Sequence, residues 1–284
     1  MLIKGLRYFI LLFVILLAVS TFGQHEYPIY WVQFTDKSHT PYSIDQPEDF
    51  LSQRAIDRRN RQQIGISAED LPVDPVYLDS LAGLGARIIN ISKWFNGVLA
   101  EIGSISLAES IEMLSFVQGS PLLVKPVVTD KRVSRISGKF YPCMEMADSV
   151  YGLSLYQVEI LNGITLHEQG YRGKEMLVAV MDAGFTNADQ ISSLQHIWED
   201  GRIVAVRDFV KDGLDIFNSH DHGTKVFSII GGKREQALYG SAPEAEFILL
   251  RTEDGLSEYI IEEYNWIAGI EFADSLGADI VNSS

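Results

Sequence analysis

The sequence is poor in cysteine and in positive charge, and both shortages limit what the chain can do. Cys143 is the single cysteine in 284 residues, so the chain can form no internal disulfide and no cysteine-based metal site. Lysine and arginine number 23 against 38 aspartate and glutamate, which gives a formal net charge of −15 at pH 7. Such an acidic chain is unsuited to a nucleic-acid groove. Glycine-rich phosphate loops of the G-x-G-x-x-G or G-x4-G-K type do not occur in the sequence, which disfavours a nucleotide-binding module.

The amino terminus carries an apolar run, Tyr8–Val19, that is shorter than the roughly 20 residues a permanent membrane anchor needs. Lys4 and Arg7 precede this run, and the small residues Thr21 and Gly23 follow it at the cut positions. This order is typical of a secretory signal that is cut after Gly23, although an uncleaved anchor is the alternative. We therefore predict that residues 1–23 are a signal peptide and that the protein is secreted (extracellular, periplasmic or at the cell surface), without a permanent membrane anchor.

Residues 24–128 alternate between strand and helix patterns. The predicted strands are Ile29–Phe34, Ala86–Ile91, Asn96–Glu101 and Leu122–Val127. The predicted helices are a segment capped by Asp45 that runs through Arg58, then Pro75–Ala82 and Ser106–Phe116. Strands interleaved with helices over about a hundred residues predict a small α+β domain of the ferredoxin-like type.

Residues 129–150 have a different character. Lys131, Arg132, Arg135 and Lys139 stand among small and polar residues without a clear periodicity. This composition is typical of an exposed linker, where proteases cut, and an ordinary surface loop is the alternative.

Residues 151–284 return to a regular alternation of apolar strands and helices. The predicted strands are Met176–Met181, Ile203–Val206, Glu246–Leu250 and Asp279–Asn282. The predicted helices are Tyr156–Glu168, His222–Ile230 and Glu258–Ser275. This pattern indicates an α/β domain with a parallel sheet and helices packed on it.

Asp182 and His222 are the candidate catalytic residues. Asp182 directly follows the most continuous apolar strand, and the carboxyl ends of parallel strands are where sites are built. His222 lies forty residues later, where a predicted helix begins after a polar loop, and Gly223 leaves space beside its ring. A carboxylate can fix the tautomer of an imidazole, which then acts as a general base. The alternatives are a turn-forming aspartate and a histidine in a surface capping loop.

Metal binding is a further alternative for this segment, because His220 and His222 flank Asp221. No later histidine completes such a site, and the helix pattern begins at His222, so we predict no metal there. An acidic stretch further on is interpreted as a solvated helix start, with a calcium site or a pocket for basic substrate side chains as the alternative; it comprises Glu253, Asp254, Glu258, Glu262 and Glu263. Trp94, Phe95 and Trp266 are interpreted as core or packing aromatics.

Four segments together resemble the subtilase family of serine proteases, peptidase family S8. They are the strand with Asp-x-Gly at Asp182, the helix opening His-Gly-Thr at His222, Ser241–Ala245 before a strand, and Leu276–Ser284. Their order and spacing match the family pattern, in which the aspartate precedes the histidine. The resemblance covers roughly residues 152–284, and the layout of Ile29–Pro126 is similar to that of subtilase propeptides.

The resemblance implies an incomplete subtilisin-type parallel-sheet domain, residues 151–284, behind a ferredoxin-like inhibitor-type propeptide, residues 24–128. Asp182 would be the orienting acid and His222 the general base. Asn282, Ser283 and Ser284 would begin the strand that binds substrate, pairing its backbone with an extended peptide. The implied partners are protein or peptide substrates and the chain's own propeptide, acting as intramolecular chaperone and inhibitor. No cofactor is implied beyond a calcium ion that the sequence does not place.

The sequence also departs from the family pattern. Lys225 stands where the family has a second histidine after His-Gly-Thr. The oxyanion motif Ala-Gly-Asn and the nucleophile motif Gly-Thr-Ser-x-Ala do not occur in the sequence. We therefore interpret the chain as a truncated precursor whose catalytic serine lies beyond Ser284. The alternative is an inactive pseudoprotease or a propeptide-type inhibitor.

Overall fold

The computed structural model describes residues 27–124, 150–211, 215–255 and 260–284. The predicted signal peptide and nearly all of the predicted linker lie outside the described residues. Among the helices of these four ranges, none combines the length and the apolar character that a membrane crossing requires.

The amino-terminal part contains a four-stranded antiparallel sheet and three α-helices. Its strands are β1 (Ile29–Gln33), β2 (Arg87–Ser92), β3 (Gly97–Glu101) and β4 (Leu122–Val124). Its helices are α1 (Gln53–Gln62), α2 (Pro75–Leu84) and α3 (Ile105–Glu112). The strand order β2-β3-β1-β4 is the ferredoxin-like arrangement, so the predicted α+β fold is confirmed.

The core of this part follows from the period-two pattern of the strands. Tyr30 and Val32 alternate with partly exposed residues along β1, and both are buried. They pack with apolar side chains from the helices and from β3, including Leu81, Ile111 and Val98. Removal of these apolar side chains from water is the main contribution to the stability of the amino-terminal part.

The predicted helix from Asp45 to Arg58 is wrong, because the chain breaks it into two elements. A short 3-10 helix occupies Pro47–Asp49, and helix α1 begins only at Gln53. Ser52 is extended between them, and its hydroxyl accepts a hydrogen bond from the Ala55 amide. A serine that caps a backbone donor in this way starts a helix rather than continuing one.

The second part contains a four-stranded parallel sheet with helices on both faces, as predicted. Its strands are β5 (Leu177–Asp182), β6 (Ile203–Asp208), β9 (Glu246–Arg251) and β10 (Ile280–Ser283), in the order β10-β5-β9-β6. Its helices are α4 (Leu155–Glu159), α5 (Gly163–Glu168), α6 (Gln195–Glu199), α7 (His222–Gly231) and α8 (Ile261–Leu276). A two-stranded hairpin, β7 (Lys233–Arg234) and β8 (Leu238–Tyr239), was not foreseen.

Strand β5 lies in the interior of this sheet, and every one of its residues is buried. Val180 faces α7 and packs with Phe227, whereas Met181 faces α8 and packs with Ala268. A strand covered on both faces reads as a continuous apolar run, which is why the sequence identified β5 correctly. Packing on both faces of the sheet thus fixes the position of Asp182 at the end of β5.

Two other sequence expectations are wrong in detail. The predicted helix Tyr156–Glu168 is split into α4 and α5, because Asn162 adopts a left-handed backbone conformation with φ 60°. Trp266 and Phe95 are not core residues: their exposed fractions are 39% and 54%. Phe95 lies in the turn between β2 and β3, and Trp266 keeps its indole N–H at the surface, where it donates to Ser283 Oγ.

Candidate active site

Asp182 is the last residue of β5, and its side chain is fully buried. A buried charge is costly unless it is paired, and Oδ1 of Asp182 accepts a hydrogen bond of 2.7 Å from the Ala183 amide. Gly184, two residues later, turns the chain away with φ 153°.

His222 is the first residue of α7, and its ring contacts Asp182. Nδ1 of His222 lies 2.9 Å from Oδ2 and 3.0 Å from Oδ1 of the carboxylate. Half of the histidine side chain is exposed, 50% against 0% for Asp182, so the pair runs from the protein interior to the surface. A β-carbon at Gly223 would lie 2.9 Å from Cβ of Asp182, so only glycine allows α7 to begin this close to β5.

This geometry determines the tautomer of the imidazole. A carboxylate only accepts hydrogen bonds, so Nδ1 carries the proton and donates it toward Asp182. Nε2 then carries a lone pair and is free to accept a proton from another group. Among the described residues, no hydrogen bond to Nε2 is found. The arrangement is chemically suited to general base catalysis at the surface.

Strand β10 brings the three predicted substrate-binding residues to the same edge of the sheet. Asn282 and Ser283 pair with Val180 and Met181 of β5. Ser284 donates its hydroxyl to Oδ2 of Asp182 at 3.0 Å, so this side chain contacts the candidate acid itself. On its other side, β10 has no neighbouring strand among residues that the structure describes.

The residues around His222 form polar contacts with one another. The His222 amide donates to Nδ1 of His220 at 3.2 Å. Lys225 pairs with Asp221 at 2.7 Å, and this contact lowers the pKa of the Asp221 carboxyl. Within the described ranges, no group of three or more His, Cys, Asp or Glu side chains could hold a metal ion. The absence of a metal stays a prediction, and Glu258 of the acidic stretch lies outside the described residues.

An ion pair beneath the site was missed by sequence reasoning. Arg251, the last residue of β9, pairs through Nη1 with Asp208 of β6 at 3.0 Å, and both side chains are buried. Its Nε donates to the Ala183 carbonyl at 3.0 Å, which holds the turn that follows Asp182. The available signal was a charged residue ending each apolar strand, the same signal that singled out Asp182.

Among solved structures, the chain is similar to fervidolysin from Fervidobacterium pennivorans, a keratinolytic enzyme related to subtilisin. The similarity has a TM-score of 0.49 at 17% identity, and covers 92% of this chain and 36% of that chain. MycP1 from Mycobacterium smegmatis matches with a TM-score of 0.31 at 19% identity, over 56% of this chain and 39% of that chain.

Curated relatives of the chain include C5a peptidases of Streptococcus pyogenes. The protein of serotype M6 is 30% identical over 152 residues, which cover 42% of this chain and 12% of that protein. The protein of serotype M18 is 29% identical over 152 residues, with 42% and 13% covered. The chain therefore spans about an eighth of the length of the curated relatives that it matches.

Two family models match the chain, and together they extend over more than half of it. Residues 29–137 match the peptidase S8 propeptide domain of Bacteroidota. Residues 173–284, which contain Asp182, His222 and β10, match the subtilase family. The chain belongs to the subtilase family, peptidase family S8.

Proposed function

We propose that this chain is the amino-terminal part of a secreted serine endopeptidase precursor, in which Asp182 and His222 act with a serine encoded beyond Ser284. The observation that carries the proposal is the contact of 2.9 Å between Nδ1 of His222 and Oδ2 of the buried Asp182. The match of residues 173–284 to the subtilase family supports it. Peptidase activity is then expected of the protein that contains the serine.

The reaction we infer is acyl transfer through the serine hydroxyl. His222 Nε2 takes the hydroxyl proton while the oxygen attacks the carbonyl carbon of the scissile peptide. The resulting imidazolium is stabilised by Asp182, and it returns the proton to the leaving amine as the C–N bond breaks. Water then hydrolyses the acyl-enzyme in the same way, with His222 again as the base.

The position of β10 beside Asp182 supports an extended peptide as the substrate. A peptide added beside Asn282, Ser283 and Ser284 would satisfy backbone donors and acceptors that β5 does not use. Because β10 ends beside Asp182, such a peptide would run past His222. We infer protein or peptide substrates on this ground.

We also assign a role to each segment of the chain. Residues 1–23 would direct secretion, residues 24–128 would serve as intramolecular chaperone and inhibitor, and residues 129–150 would be the segment that is cut. Residues 151–284 would form the first half of the catalytic domain. The propeptide family match over 29–137 supports the second assignment.

The experiment that tests the proposal begins with the sequence downstream of the Ser284 codon. An open reading frame with Ala-Gly-Asn and Gly-Thr-Ser-x-Ala is expected, and the protein it encodes should hydrolyse a denatured protein substrate. The 284-residue chain alone should not. A stop codon at that point contradicts the proposal and favours a pseudoprotease or a propeptide-type inhibitor.

A further inference from the structure

Helix α1 of the amino-terminal part lies against the second part through its arginine side chains. The helix has four arginines and one aspartate in ten residues. Arg54 pairs with Glu246, the first residue of β9, and with Asp279 at 3.2 Å, immediately before β10. Arg61 also pairs with Asp279, at 3.3 Å. The arginines of α1 thus contact the amino ends of the parallel strands.

The same helix also covers the carboxyl end of helix α8. The Ser52 amide donates to the Ser275 carbonyl at 2.9 Å, and Arg58 donates to the Ala278 carbonyl at 2.7 Å. The last carbonyls of a helix have no partner within the helix, and cations there are favourable to the helix dipole. Arg58 and Arg59 both pair with Asp274 in the final turn of α8. Contacts from α1 therefore complete the end of α8.

Gly277 is the place where the two backbones meet. This residue ends α8 in the left-handed conformation, with φ 88°. A β-carbon on it would lie 2.6 Å from the Ala55 nitrogen and 3.0 Å from its α-carbon, so the first turn of α1 rests directly on the glycine. Ala55 is fully buried. The surface therefore accommodates the start of a helix with a small side chain, and its carboxylates pair with the arginines of that helix.

Asp279 links this surface to the register of the parallel sheet. Its Oδ2 accepts from the Leu177 amide at 3.0 Å, at the start of β5, and from Arg54 at 3.2 Å. Leu177 and Asp182 stand at opposite ends of β5, about 17 Å apart at 3.3 Å per residue. The α1 contact is therefore separate from the Asp182–His222 pair.

We propose that Glu246, Asp274, Gly277 and Asp279 form a receptor surface for the arginine-bearing start of helix α1. Through this surface the amino-terminal part is held by ion pairs, at the end of the sheet away from the active site. When the chain is cut between the two parts, the surface keeps them together, and weakening its ion pairs releases them. The proposal deepens the proposed function and rests on it, since it assigns a surface by which the propeptide is held.

The experiment uses the full chain with a site for a sequence-specific protease inserted between residues 129 and 149. The chain is cut after folding, so neither part has to fold alone. Gel filtration and the rate at which the amino-terminal part is released are then measured from about 50 mM to about 500 mM NaCl. We expect the parts to co-elute at low salt and to separate faster as salt rises.

Variants identify which contacts hold the amino-terminal part after the chain is cut. Replacing Arg54→Gln together with Arg58→Gln should raise the release rate at low salt at least about tenfold and flatten its salt dependence. Arg87→Gln is the matched control, because Arg87 pairs with Glu101 within the amino-terminal part and its side chain is 59% exposed. This control should release at the parent rate.

A charge exchange covers the case in which the double variant does not fold. Arg54→Glu should release fast, and adding Glu246→Arg should slow release again in part, since the contact of Arg54 with Asp279 is not restored. An unchanged release rate in the double glutamine variant, or a failure of the exchange to restore retention, would overturn the proposal. Release is measured without peptide hydrolysis, so failure of this proposal is distinguishable from failure of the proposed function.

Discussion

The hydroxyl of Ser284 donates a hydrogen bond of 3.0 Å to Oδ2 of Asp182, the same oxygen that lies 2.9 Å from Nδ1 of His222. The residue that follows strand β10 thus contributes a hydrogen bond to the candidate acid. Oδ1 is held separately by the Ala183 amide. The orientation of the carboxylate depends on hydrogen bonds from two different strand ends.

This contact predicts that Ser284→Ala lowers kcat of the serine-containing protein about tenfold, because one hydrogen bond to a buried carboxylate is lost. KM should change little, since the backbone edge of β10 is kept. Steady-state kinetics on a peptide substrate provide the check. Ser283→Ala is the matched variant: its hydroxyl contacts Trp266 and not Asp182. Equal losses of kcat in both variants would contradict a specific role for Ser284.

Gly277 allows a second prediction, on stability. Gly277→Ala places a side chain in a left-handed position and against the backbone of α1, so we expect it to lower the free energy of unfolding by about 2–4 kcal/mol. Gly85 also ends a helix in the left-handed conformation, with φ 99°, but a β-carbon there meets no atom within 4 Å. Gly85→Ala should therefore lower the free energy of unfolding by only about 1 kcal/mol.

Urea denaturation of both alanine variants measures this difference. The excess loss in Gly277→Ala reports the contact between α1 and the end of α8. Equal losses would mean that the left-handed backbone alone matters and that α1 does not pack on this residue.

Glu271 of α8 gives a prediction on pH dependence. Burial raises the pKa of this carboxyl, against the opposing effect of hydrogen bonds from Ser92, Lys93 and Trp94. The folded chain therefore keeps a proton that the unfolded chain loses. The stability that Glu271 contributes is fully present below its ordinary pKa of 4.5. It is lost as the pH rises through the raised pKa of the folded chain.

Glu271→Gln removes this titration. The free energy of unfolding of the variant should therefore increase relative to that of the parent as the pH rises from about 4 to about 7. Denaturation in urea at several pH values is the measurement. Glu263→Gln, on an exposed position of the same helix, is the control and should follow the parent. Parallel curves for Glu271→Gln and the parent would show that burial does not govern this group.

Much of the site could be predicted because its residues terminate regular patterns. Asp182 ends a fully apolar strand and His222 begins an amphipathic helix, so each is visible in the sequence alone. The deep burial of Asp182 is not visible in the sequence, because it depends on Ser284 and on α7, which covers the strand end at Gly223. Local patterns report which residues are apolar, and they do not report which elements cover a given atom.

Contacts between distant segments could not be predicted at all. Arg54 and Glu246 are 192 residues apart, and nothing in the pattern of α1 identifies its partner. The start of α1 was misplaced for a local reason, since the hydroxyl of Ser52 captures the backbone donor that a continuous helix would use.

The role of His222 as general base is tested most directly by kcat for peptide hydrolysis, measured on the serine-containing protein and on its His222→Ala variant. His39→Ala is the control, because His39 lies in the amino-terminal part with a side chain that is 65% exposed. We expect His222→Ala to lower kcat by a factor on the order of 10^4 to 10^6, and His39→Ala to leave it unchanged. A His222→Ala variant that retains the parent kcat would contradict the assignment of His222 as the general base.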